Sequence, residues 1–157
     1  MVFGISDVAR GAIVALACLL FAAAIAAAPA SARQQERRQA VEVAAHFHRV
    51  GPGGTEISER GMATGTFPGP ITTHLVFSGN KMNGTFALRT TGGTVRGRTN
   101  ASVVGSSARP VVQYAGTVTV TGGTGRFSSA SGTLKMTGTM RRINNAVYEK
   151  ATGTISY

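Results

Sequence analysis

The stretch VVQYAGTVTVTGGTGRFSSASGTLKMTGTMR, residues 111–141, decides the fold. In its first half Val112, Tyr114, Val118 and Val120 fall on one side of an extended chain, and Gln113, Thr117 and Thr119 fall on the other. In its second half Leu134, Met136 and Met140 alternate with Lys135, Thr137, Thr139 and Arg141. A repeat of two marks a strand with one hidden face, because successive side chains project to opposite sides; a helix would repeat every 3.6 residues. Between the halves Gly122, Gly123 and Gly125 tolerate positive φ, so the chain can reverse. The whole stretch therefore reads as a β-hairpin, with Phe127 free to plug one end and Ser131-Gly132 opening the second strand. Three glycines in four positions do not make a phosphate cradle here, since no helical pattern follows to aim its N-terminal amides at a phosphate.

The same alternation recurs on either side. Ile71, Leu75 and Phe77 oppose Thr72, His74 and Val76, and strand-like runs cover residues 45–50, 61–67, 82–90, 94–104 and 146–156. Gly, Pro, Asn and Ser punctuate these runs, which suits tight reversals between antiparallel neighbours. Glycines inside the runs, such as Gly84, Gly97, Gly116, Gly138 and Gly153, weaken a flat sheet but suit a strongly curved one. Closing a curved sheet also removes its exposed edges. The prediction is an all-β chain: a single antiparallel up-and-down β-barrel of about eight strands over residues 41–157.

A signal-peptide helix is expected ahead of it, over residues 1–32. Arg10 precedes an apolar run from Gly11 to Ala28, and Ala30 and Ala32 fit the small-residue pattern of a signal peptidase site, so cleavage is placed before Arg33. That makes the protein secreted or periplasmic, with no permanent membrane span after cleavage. The Ala-rich run is weakly hydrophobic for a lasting anchor, and ten further apolar residues after Cys18 argue against lipid attachment there. Residues 33–40 read as a solvated polar arm.

Composition narrows the chemistry. The 157 residues carry sixteen Lys and Arg against six Asp and Glu, a net charge of +10, and a single Cys. After cleavage no Cys and no Asp are left, which excludes an internal disulfide, a Cys-based metal site and a Ser-His-Asp triad. About 125 residues can still bury roughly two thirds of their unfolded surface, enough for a core. Proton-transfer candidates are then few: Glu149, Tyr114 and His74 are singled out, since such work needs a group of tunable pKa. Tyr114, Arg96, Met136 and Phe77 are the expected ligand contacts, provided that they point inward. Glu56 and Glu59 are assigned to a solvated Gly-rich loop. His46 and His48 share a strand face, but no third ligand is fixed by spacing, so no metal and no cofactor are assigned.

Residues Gly122-Gly123-Thr124-Gly125-Arg126-Phe127 with Ala130 and Gly132, and more loosely Gly97 to Gly105, carry a resemblance to the dirigent and allene oxide cyclase barrel-like superfamily, as a bacterial secreted member. It spans roughly the last two thirds of the secreted part. The resemblance implies an eight-stranded barrel, frequently homotrimeric, with a central cavity for hydrophobic ligands. The matching residues are those of a structural turn, and the acidic cavity residues of plant dirigent proteins have no Asp counterpart here.

Three functional readings follow from the sequence. The first is non-catalytic binding of a small apolar ligand or an envelope role. The second is a cofactor-independent cyclase or isomerase acting on a hydrophobic small molecule. The third is a basic surface for anionic envelope polymers, without specific nucleic-acid recognition, since Trp is absent and no stacking platform is visible. A purely aliphatic and aromatic cavity favours the first, a buried Glu beside Tyr or Arg the second, and a contiguous basic face the third.

Overall fold

Alternation of apolar and polar side chains produces eight long strands: β1 (Arg38–Val50), β2 (Glu56–Gly65), β3 (Gly69–Ser78), β4 (Lys81–Thr90), β5 (Gly93–Val104), β6 (Val111–Gly123), β7 (Ser131–Arg141) and β8 (Ala146–Ser156). In the computed structural model, which describes residues 38–51 and 53–157, each strand pairs antiparallel with its sequence neighbour. β8 pairs back onto β1, closing the barrel in the order β1 to β8. This is the up-and-down barrel that the period-two pattern predicts. The expected signal-peptide helix, its cleavage site and Cys18 lie outside the described residues. Among the described residues, no helix is long and apolar enough to cross a membrane.

Two strands begin earlier than the hydrophobic pattern indicates. β1 starts at Arg38, not at Ala45; it takes in residues 41–44 and also 38–40 of the expected polar arm, where Arg38, Gln39 and Ala40 pair with Ser156, Ile155 and Thr154 of β8. Backbone pairing with β8, rather than burial of side chains, extends the strand there. β2 starts at Glu56, not near Gly61. Glu59 is consequently not a loop residue. It faces the lumen between Ile57 and Gly61 and is only 3% exposed, which corrects its assignment to solvent.

The core is the lumen itself. Val41, Ala45, Phe47, Leu75, Leu88, Val95, Leu134 and Ile155 are buried on the inner face, and their outward neighbours are mostly Thr, Arg, Lys and His. Strand glycines lie across from large inward side chains of the next strand. A Cβ at Gly97 would meet Phe86, one at Gly84 would meet Leu75, and one at Gly138 would fall on the Tyr114 ring. Rings and branched chains thus fill the space that a Cβ would take, which is how a tightly curved sheet accommodates them.

One end is stoppered. The connection from β6 to β7 contains a single 3-10 turn, Gly125–Phe127. Gly123 packs against the carbonyl of Thr94, and Gly125 adopts φ +61, a left-handed conformation that only glycine enters cheaply. Thr124 N donates to Thr94 O at 2.8 Å, and Arg126 N donates to Gly92 O at 3.0 Å, docking the connection onto the β4–β5 turn. Phe127 is driven inward to 0% exposure. Its ring packs edge-on to Phe67 at 5.3 Å and against Tyr157 at 4.9 Å, and the Arg126 guanidinium covers it at 4.8 Å.

Candidate functional site inside the barrel

Five polar side chains stand on the inner face at mid-barrel: Glu59, Thr73, Thr99, Tyr114 and Glu149. Four of them form two hydrogen-bonded pairs. Thr73 Oγ1 donates to Glu59 Oε2 at 3.2 Å, and Tyr114 Oη donates to Glu149 Oε1 at 2.8 Å. The first pair is made by immediate register partners on β2 and β3. The second spans two strands.

Gly138 explains that reach. Tyr114 stands opposite Gly138 on β7, and Gly138 stands opposite Glu149 on β8. Adjacent strands lie about 4.8 Å apart, so Tyr114 and Glu149 are separated by about twice that distance, more than a direct cross-strand pair can bridge. With no side chain at the middle position, the phenol ring lies flat across Gly138 and delivers its hydroxyl to the carboxyl. The ring length and the missing Cβ together make the contact.

The polar residues sit at the waist of the lumen between two apolar compartments. The compartment toward the plugged end has a volume of about 70 Å³; Phe67, Phe86, Leu134 and Met136 contribute walls, and Thr73, Thr99 and Glu149 contribute polar groups. The one toward the opposite end is about 40 Å³ and is bounded by Phe77, Met82, Met140, Glu59 and Tyr114. Tyr114, Met136 and Phe77 thus face the lumen, as a ligand contact must. Arg96 does not. It stands exposed on the outer face of β5, because the inward positions of that strand are Val95, Gly97 and Thr99. His74 also lies outside, with Nδ1 3.3 Å from Ser58 Oγ and Nε2 3.9 Å from Glu56. His46 and His48 share the outer face of β1, and among the described residues no three His, Cys, Asp or Glu converge as metal ligands.

The electrostatics of the waist follow from burial. Loss of water pushes the Glu149 carboxyl up to about 7; the Tyr114 hydrogen bond opposes this, and the charge of Glu59 across the lumen adds to it. Burial also raises the pKa of Glu59, partly offset by the Thr73 hydrogen bond and by the charge of Arg49. Tyr114 is held far above the ordinary phenol range, first by burial and then by the charge and hydrogen bond of Glu149. Near neutral pH the waist therefore offers a carboxyl that exchanges its proton readily, beside a phenol that keeps its own.

Two residues of this site escape a reading by residue type. Glu59 shares strand parity with Ile57, and that parity is the signal that would have turned it inward. Arg49 stands in register with Glu59, and its Nε is buried with no hydrogen-bond partner among the described residues. No protein-family profile, no curated protein and no solved structure matches the chain.

Proposed function

We propose that the lumen binds a small, largely apolar molecule bearing one oxygen, and that Glu149 and Tyr114 are its polar anchor. The observation that carries this reading is the 2.8 Å Tyr114–Glu149 hydrogen bond at the edge of an otherwise apolar compartment. A carboxyl buried in an apolar core costs stability, and perturbed acids of this kind cluster at functional sites. Few, fixed polar groups on an apolar wall also match the general build of ligand pockets. The compartment of about 70 Å³ is smaller than the ~150 Å³ engineered cavity that takes up benzene. The ligand is accordingly small, or the Phe67–Phe127–Tyr157 stopper shifts to admit it. Secretion, from the apolar run ahead of Arg33, and kinship with the dirigent and allene oxide cyclase group belong to the same proposal.

A second reading, acid–base isomerisation or cyclisation in the lumen, is favoured by one feature. A carboxyl with a pKa near 7 is matched to proton transfer at neutral pH. In that reading Glu149 removes a proton from the carbon next to a carbonyl and returns it to the rearranged molecule, while Tyr114 positions the carboxyl.

Cyclopentanone, with cyclopentane as its oxygen-free counterpart, tests both. Titrated into protein carrying 13C-methyl methionine, the ketone is expected to shift the Met136 methyl saturably and to bind at least fivefold more tightly at pH 5.5 than at pH 8.5. The Glu149 proton is available to the carbonyl only at the lower pH. Equal binding of ketone and hydrocarbon at both pH values, or an unmoved Met136 methyl, contradicts the anchor. Deuterium uptake from solvent at the carbons beside the carbonyl, lost in Glu149→Gln, selects the catalytic reading; binding without uptake selects the non-catalytic one.

A further inference from the structure

The outer wall of the barrel carries a groove of about 400 Å³ over β3 to β6. Its outward side chains are Thr72 and His74 on β3, Thr85 and Ala87 on β4, Arg96 and Arg98 on β5, and Thr121 on β6. Thr121 is the extra residue of a bulge: β5 and β6 shift register there, so that Arg96 pairs with Gly122 while Gly97 pairs with Val120. Bulges re-aim side chains and bend the sheet, and here the bend lies beside Gly97, where the wall has no side chain. Arg96 and Arg98 are two residues apart and project from the same face.

Charge accounting makes this groove stand out. Four side-chain carboxylates occur among the described residues. Glu59 and Glu149 are turned into the lumen, and Glu42 is paired with Lys150 at 2.8 Å. Only Glu56 is left near the groove, and it lies beyond His74 rather than in the lining. Among the described residues, neither Arg96 nor Arg98 makes an ion pair. Arg60 stands in register with Thr72, and Arg89 lies on the exposed side of β4, extending the same sign of charge around the groove. Folding has sent two of the four described acids inward and left this face predominantly cationic.

We propose that this groove binds an acidic polysaccharide, with Arg96 and Arg98 engaging its carboxylates and Thr72, Thr85 and Thr121 hydrogen-bonding its hydroxyls. Guanidinium groups match carboxylates in planar, two-pronged geometry, and the threonine hydroxyls both donate and accept, as sugar hydroxyls require. Among the described residues no Trp, no Tyr and no exposed Phe lines the groove, so it presents a single imidazole, His74, rather than a stacking platform for successive bases. None of the exposed large apolar residues lines it either, so it offers no wedge for a lipid surface. The site is separate from the lumen and does not rest on the function proposed for the interior.

The test is calorimetric titration of the purified protein with a hexameric oligogalacturonate at low salt. Arg96→Ala/Arg98→Ala is compared with Arg109→Ala/Lys135→Ala, which removes the same charge from exposed positions outside the groove. Binding is expected to weaken at least tenfold in the first variant and less than twofold in the second, and to fade as salt rises. All these positions are solvent-facing, and unchanged circular dichroism identifies folded variants. Equal weakening in both variants, or no binding by the unaltered protein, overturns the proposal. A thymidine oligonucleotide of equal charge that binds as tightly as the saccharide overturns the assignment to polysaccharide.

Discussion

Glu149→Gln is expected to stabilise the protein at pH 8 by about 2 kcal/mol and to leave it nearly unchanged at pH 4.5. The sign follows from where the proton resides. In the unfolded chain Glu149 titrates near 4.5, whereas in the barrel burial holds it at about 7. Between those values the folded state binds more protons than the unfolded state, so stability falls as pH rises through 4.5 to 7 and stays low above. At about 1.4 kcal/mol per pH unit the full loss is about 3 kcal/mol, which Glu59, shifted in the same direction, augments. Gln keeps the shape and an oxygen for the Tyr114 hydroxyl but has no charge to bury, though its amide hydrogens need partners of their own. Melting curves at the two pH values check this, with a rise of about 8 °C expected at pH 8. A variant less stable than the parent at pH 8 would mean that the carboxylate is paired or hydrated rather than stranded.

Phe127→Ala should carry the largest destabilisation of any single change at the stopper, about 3–5 kcal/mol, read as a lowered urea midpoint with an unchanged slope. Phe127 is fully buried, and Phe67, Tyr157 and the Arg126 guanidinium all pack on its ring. Truncation removes the ring and leaves neighbours that cannot all collapse, because Gly123 and Gly125 hold the connection against the β4–β5 turn. Against a usual total of 5–15 kcal/mol, such a loss is a large fraction. Phe127→Leu keeps most of the apolar volume and should cost less than half as much. Equal stability of Phe127→Ala and the parent would show that this end of the barrel is not closed by Phe127.

The sequence makes the fold legible wherever one strand face is apolar. Val112, Tyr114, Val118 and Val120 announce β6, and the glycines at 122–125 announce the reversal after it. Legibility fails where the pairing partner, not the side chain, dictates extension: residues 38–40 join β1 only because β8 lies beside them. The site divides along the same line. Tyr114 and Glu149 are recognisable separately as groups able to handle a proton, yet their pairing depends on Gly138 lying between them in register. That is a fact of three strands and not of any local spacing. Glu59 looks like a solvent residue when its charge is weighed above its strand parity with Ile57. Arg96 looks like a ligand contact by its guanidinium, although Val95 and Gly97 on either side already claim the inner face.

The most direct measurement is a pH titration of the Glu149 side-chain carboxyl by 13C NMR, assigned through loss of its resonance in Glu149→Gln. A midpoint near 7 is expected. That midpoint should climb in Tyr114→Phe, because the hydroxyl that favours the charged form is gone. A midpoint at the ordinary carboxylate value of 4.5, unmoved by Tyr114→Phe, would place Glu149 in water and remove the anchor from the lumen.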